Sequence, residues 1–220
     1  MGLYQVFCMC LLATVGQTQG LQNCSVETNL STVGSPEDAA NLATSLECSD
    51  GDFIVEWVGE VFVEQTLRVS NGTSLNITGA GPGAIADGQQ RVQLFVVDGG
   101  VLHLTGITLA HGYASSEGGA IYAESSTVLI SGNTSFISNS AGGDGGAIHS
   151  SRSKVTWDGD GVEFSNNYAG NGGAISLNVS TMSWDGDATE FSNNSASNYG
   201  GAIYSDNSNV SWNGDGTEFS

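Results

Sequence analysis

The side chains able to do chemistry in this chain are acidic, and they recur. Asp158 and Asp185 stand 27 residues apart, and Asn213 takes the same place one period later. Asp160, Asp187 and Asp215 follow two residues on, and Glu163, Glu190 and Glu218 close each acidic turn. Carboxylates stacked about 5 Å apart repel by roughly 1 kcal/mol per pair in water. A hard cation with several oxygen ligands would relieve that repulsion. Asp158, Asp160, Asp185, Asp187 and Asp215 are therefore candidate Ca²⁺ ligands, and no other cofactor is expected. The competing account is a solvated turn whose Asp-Gly steps suit the backbone. It is preferred, because the nonapeptide calcium-binding pattern of β-rolls is absent.

Catalysis finds less support. His103, His111 and His149 fall on outward or corner positions, and no Ser-His-Asp arrangement is visible by spacing. A glycosidase needs two carboxylates across the scissile bond, and acids are plentiful. The polygalacturonase pattern, however, survives only as His111-Gly112. A polyuronate lyase needs cations, and Arg68, Arg91, Arg152 and Lys154 are the whole supply. Net charge is −19, from 4 Lys+Arg against 23 Asp+Glu, so nucleic acid and anionic membranes should be repelled. No catalytic residue is assigned.

The elements that carry these residues repeat. Gly79, Gly106, Gly132, Gly159, Gly186 and Gly214 are spaced by 26 to 28 residues. Four residues before each stand Leu75, Leu102, Val128, Val155, Met182 and Val210. Two before stand Ile77, Leu104, Ile130, Trp157, Trp184 and Trp212, mostly with a polar residue between. Such alternation predicts a strand with one buried face. Trp157, Trp184 and Trp212 then point inward as core rather than outward as a sugar platform. A second line runs Leu67, Leu94, Ile121, Ile148, Ile175 and Ile203. A third runs Leu109, Phe136, Phe164, Phe191 and Phe219. Three short strands per period, with no helix between them, predict an all-β, right-handed, three-sided parallel β-helix of about six coils of about 27 residues. Asn139, Asn167 and Asn194, each three residues after a Phe, would stack at a corner.

From Gly118 on, two motifs recur in phase. Gly118-Gly119-Ala120-Ile121 returns at Gly145-Gly146-Ala147-Ile148, Gly172-Gly173-Ala174-Ile175 and Gly200-Gly201-Ala202-Ile203, interleaved with Phe-x-x-Asn at 136, 164 and 191. These motifs resemble the polymorphic outer membrane protein repeat family, first associated with chlamydial surface proteins. The resemblance covers Gly118–Ser220, with degenerate copies in 67–117. It implies a β-helix of pectin-lyase-like architecture and a surface adhesin role.

Residues 21–50 read as a cap on the first coil. Ser35-Pro36-Glu37-Asp38 is a helix start, with Leu42, Ala43 and Leu46 as its apolar face. Residues 1–20 read as a signal peptide, whose apolar run Val6–Val15 is too short to span a bilayer. Cys8 and Cys10 would leave with it, so Cys24 and Cys48 are the expected disulfide. Asn23, Asn29, Asn71, Asn76, Asn133, Asn178, Asn193 and Asn209 head Asn-x-Ser/Thr sequons, about twice the chance expectation. The repeat domain is 51–220, and it stops within a repeat, as a fragment of a longer protein would.

The expected protein is a secreted or cell-surface adhesion, display or structural module (in a bacterium, at the outer membrane). Its partner is an unknown surface ligand or matrix polysaccharide. The alternative is a polysaccharide lyase or glycoside hydrolase on a pectin-lyase-like fold.

Overall fold

The computed structural model describes residues 31–48 and 50–220. Its strands form four parallel ladders stacked along one axis, a parallel β-solenoid of about seven turns. The largest ladder has eight strands, from Ser31–Val33 and Gly51–Trp57 through Thr73–Gly79, Val101–Thr105, Thr127–Ser131, Lys154–Trp157 and Thr181–Trp184 to Asn209–Trp212. A seven-stranded ladder runs from Glu60–Phe62 to Glu218–Phe219, and a six-stranded one from Leu67–Ser70 to Ile203–Asp206. At the usual strand spacing the stack is about 34 Å long.

Alternation fixes which side chains point inward. In Thr127–Ser131, Val128 and Ile130 are buried while Thr127, Leu129 and Ser131 are partly exposed. Val128 pairs in register with Leu102 and Val155, and Ile130 with Leu104 and Trp157. The aromatic lines become columns. Trp157 and Trp184 stack at 4.8 Å, and Phe136, Phe164, Phe191 and Phe219 follow at 4.7, 4.9 and 4.8 Å between ring centres. Trp157 and Trp184 are core residues, and Trp212 is 59 % exposed in the last coil. One continuous apolar cluster runs from Val33 to Phe191.

Three sequence expectations need correction. The count is about seven turns rather than six, because Gly51–Trp57 and Glu60–Phe62 make an earlier coil whose Phe53 and Val55 pair with Leu75 and Ile77. The second apolar line passes through Phe95, not Leu94: Leu67 and Ile121 both pair with Phe95. Leu94 is buried too, so period alone could not choose between adjacent apolar residues. The coils also have a fourth short side. Tyr113–Ala114, Ser140–Ala141, Tyr168–Asn171 and Ser195–Tyr199 pair just after the Asn corner. Their residues are Tyr, Ser, Ala, Gly and Asn, with no large aliphatic side chain to mark an alternation.

The corners explain the two motifs. Asn139 and Asn167 are fully buried. The Asn139 Nδ2 donates to Asn167 Oδ1 (3.1 Å), and Asn167 Nδ2 donates to Asn194 Oδ1 (2.9 Å). In Gly-Gly-Ala-Ile the first glycine is left-handed, with φ of 69° at Gly145. The second lies under the next coil: a Cβ on Gly146 would sit 2.1 Å from the Gly173 carbonyl oxygen.

A strand and a helix cover the first coil. Ser31–Val33 adds in parallel to Gly51–Trp57, and the helix Pro36–Cys48 lies over Leu67–Ser70, the first strand of the six-stranded ladder. The helix therefore covers an edge that would otherwise be open for pairing. Ala39, Leu42, Ala43 and Leu46 are its buried face. Ser35 caps it, accepting from the Asp38 N–H at 3.2 Å and donating to Asp38 Oδ2 at 2.7 Å. Replacing Ser35 by Ala should cost about 1 kcal/mol. Urea melts read by circular dichroism check this, and an unchanged midpoint would mean that the cap does not contribute.

Candidate functional site

The acidic ladder lies at the exit of the eight-stranded face. Its carboxylates are engaged one coil at a time. Asp187 donates its backbone N–H to Asp160 Oδ1 (3.0 Å), and Asp215 donates its own to Asp187 Oδ1 (2.8 Å). Asp185 Oδ1 accepts from Asn213 Nδ2 at 2.8 Å, and Asp158 Oδ1 accepts from Ser131 Oγ at 2.7 Å. Each bond spans 27 or 28 residues, so the ladder ties successive coils together. Asp160 and Asp187 are thus successive acceptors in one chain that ends on the Asp215 N–H, while Asp158 and Asp185 each accept from a different neighbouring coil.

Beside this ladder, Ser131 lies between a histidine and an acid. His103 Nε2 is 3.1 Å from Ser131 Oγ, at a cavity of about 110 Å³ that Thr156 and Asp158 also line. The order is wrong for nucleophilic activation. Ser131 gives its only proton to Asp158, so His103 must donate to Ser131 and cannot act as its base. In a hydrolytic triad the imidazole stands between acid and hydroxyl. A larger groove of about 530 Å³ is lined by Gly79, Gly81, Pro82, Ala84, Gly106, Thr108, Asn133 and Ser135. None of these side chains titrates in the range a general acid or base requires.

His111 keeps the corner place expected of it, whereas His149, expected to be outward, is buried. His111 lies at a corner with φ of 50°, and its Nδ1 is 3.2 Å from Asp87 Oδ2. His149 points away from the core axis yet is 4 % exposed. The Tyr122 ring stacks on it at 5.6 Å and 8°, and Glu117 and Asp144 close the side. One ligand atom from each of Glu117, Asp144 and His149 lies within 4.8 Å of the others. Burial holds the His149 pKa below its ordinary value, and the two carboxylates pull it back up. Burial also raises the Tyr122 phenol, with Glu117 adding to the effect. Arg152 pairs with Glu124 rather than with either acid of this cluster.

Sequence reasoning missed this cluster, although its signal was present. The residue before each Gly-Gly-Ala reads Glu117, Asp144, Asn171 and Tyr199, a column of its own. Asn171 Nδ2 donates to Asp144 Oδ1 at 2.8 Å, one coil away. A serine ladder was missed as well. Ser126, Ser153, Ser180 and Ser208 each accept, at Oγ, a backbone N–H from the previous coil, at 2.9 to 3.1 Å.

Of the sequon asparagines, Asn71, Asn133, Asn178, Asn193 and Asn209 are exposed and Asn76 is half-buried. Asn23, Asn29 and Cys24 lie outside the described residues, and with Cys24 the expected bond to Cys48; so does the expected signal peptide. Among the described residues no helix is long and apolar enough to cross a membrane.

Fold and corners together define a parallel β-solenoid whose coils are joined by buried Asn and Ser ladders and by a Gly-Gly turn. Residues 127–151, 161–178 and 188–206 match the Chlamydia polymorphic membrane protein repeat, an outer-membrane and surface family. The three matched segments fall in successive coils. No curated protein and no solved structure matches it.

Proposed function

We propose that this protein is a non-catalytic β-helix module for adhesion or display, secreted or held at a cell surface. The observation that carries the reading is the use of its polar groups. Asp160, Asp185 and Asp187 of the acidic ladder are each bonded to the next coil, and the larger groove is lined by glycine, proline, alanine and neutral polar side chains. Catalysis instead requires one constellation of unlike groups with pKa values pushed apart. The surface-family repeat and the exposed sequon asparagines support a route to the cell exterior. A formal charge of −19 favours neutral or cationic partners over polyuronates and nucleic acid. We further propose that Cys24 and Cys48 form the disulfide that staples the cap, and that the acidic turns are structural.

The test expresses the full chain in a eukaryotic secretory host. The product should reach the medium, lose mass on treatment with an N-glycosidase, and show no thiol reactive before reduction. It should bind a neutral matrix polysaccharide or a cell surface, and leave pectin, alginate and neutral glucans uncut. Cleavage of any of these that is lost on mutating a carboxylate would replace adhesion with catalysis.

A further inference from the structure

We propose that Glu117, Asp144 and His149 form a binding site for a divalent transition-metal cation of zinc's class, clipping two successive coils together. Glu117 comes from one coil, and Asp144 and His149 from the next, so a bound ion would add a link between two successive coils.

Geometry is the first support. The three donor atoms converge within 4.8 Å, from positions 27 and 5 residues apart that only the coil can bring together. His149 Nε2 is 3.7 Å from Glu117 Oε2, too long for a hydrogen bond. Two ligands each about 2.0–2.1 Å from a tetrahedral zinc stand about 3.4 Å apart, so a small closure would seat the ion.

The second support is independent of the acids. The His149 side chain is 5 % exposed, its Nδ1 has no hydrogen-bond partner, and its Nε2 faces Glu117 without bonding it. A buried imidazole normally satisfies its polar atoms, and an ion on Nε2 would give the ring a partner on the side that faces the acids. Desolvation favours the neutral ring, which is the ligand form. Among the described residues no Lys or Arg is within ion-pair distance of Glu117 or Asp144, so nothing already neutralises the pair.

The surroundings are those of a supported site. Asn171 Nδ2 holds Asp144 Oδ1 at 2.8 Å, leaving the other carboxylate oxygen for an ion, and Tyr122 stacks on the imidazole to fix its plane. Ligand-orienting groups of this kind commonly accompany metal sites. An imidazole selects against Ca²⁺ and Mg²⁺, which take oxygen ligands. The Glu117 side chain is 42 % exposed, so the ion would keep one or more waters.

The test uses the full chain, stripped with chelator and held at pH 7.5. Zn²⁺ at about 100 µM should raise the melting temperature by several degrees, and Ca²⁺ at the same concentration should not. The His149 ring resonances should shift on adding Zn²⁺. Loss of an outer-shell partner alone costs metal sites about 10–100-fold in affinity. Glu117→Gln and Asp144→Asn should therefore each weaken zinc binding at least about tenfold, and a His103→Gln/His111→Gln double variant should retain it. Glu117 is partly exposed, so its variant reads binding even if His149→Gln fails to fold. No thermal shift and no ring shift would overturn the proposal. So would a shift that persists undiminished in Glu117→Gln and Asp144→Asn, or one that Ca²⁺ reproduces.

Discussion

Gly146→Ala is expected to destabilise the solenoid by at least about 3 kcal/mol, beyond the ordinary cost of one added methyl. The new Cβ would lie 2.1 Å from the Gly173 carbonyl oxygen and 2.7 Å from both the N and O of Tyr168. All three are backbone atoms, so no side chain can swing aside. The coils cannot part locally either, because Gly146 donates to the Gly172 carbonyl at 3.2 Å and Ala147 donates to the Ala174 carbonyl at 2.9 Å. Relief would mean breaking that ladder. For a chain of this size each kcal/mol moves the melting temperature by about 2–4 °C, so the loss should be about 6–12 °C or more. Gly83 is the control: a Cβ there meets nothing within 4 Å, and its alanine variant should stay within about 0.5 kcal/mol. Gly146→Ala melting with the wild type would show that neighbouring coils can slide past one another.

Asn167→Leu is expected to cost about 2–4 kcal/mol despite similar size and full burial. The amide makes four bonds across three coils. Its Nδ2 donates to the Phe136 carbonyl (2.9 Å) and to Asn194 Oδ1 (2.9 Å). Its Oδ1 accepts from the Asn139 N–H (2.9 Å) and from Asn139 Nδ2 (3.1 Å). Leucine leaves the Asn139 N–H buried without its acceptor. Asn167→Asp should be worse at neutral pH, because a carboxylate cannot donate and would face two acceptors in a dry corner. Chemical denaturation of the three proteins gives the ranking. Wild-type stability in Asn167→Leu would mean that the ladder is incidental to the fold.

What the residues determined unaided was what alternation and equal spacing carry. Val128 and Ile130 point inward because a strand has period two, and Phe136, Phe164 and Phe191 stack because the same place returns every coil. The cap helix was legible for the same reason: Ser35 and Asp38 satisfy their bonds within one turn. The Asn ladder was legible once the coil was known, since equal positions in a parallel stack must meet. Where two adjacent residues were both apolar, as at Leu94 and Phe95, the period could not choose, and the hydrogen-bond register did. Contacts between unlike positions, such as those of Glu117 and Asp144 with His149, came only from the tertiary structure. Alternation says that His149 points away from the axis, and the repeat sets Tyr122 against it, but neither says that Glu117 and Asp144 close its side. That outcome depends on how far one coil is offset from the next and on how the corner before Gly145 turns. Backbone sterics between coils decide both, and no single period of the sequence contains them.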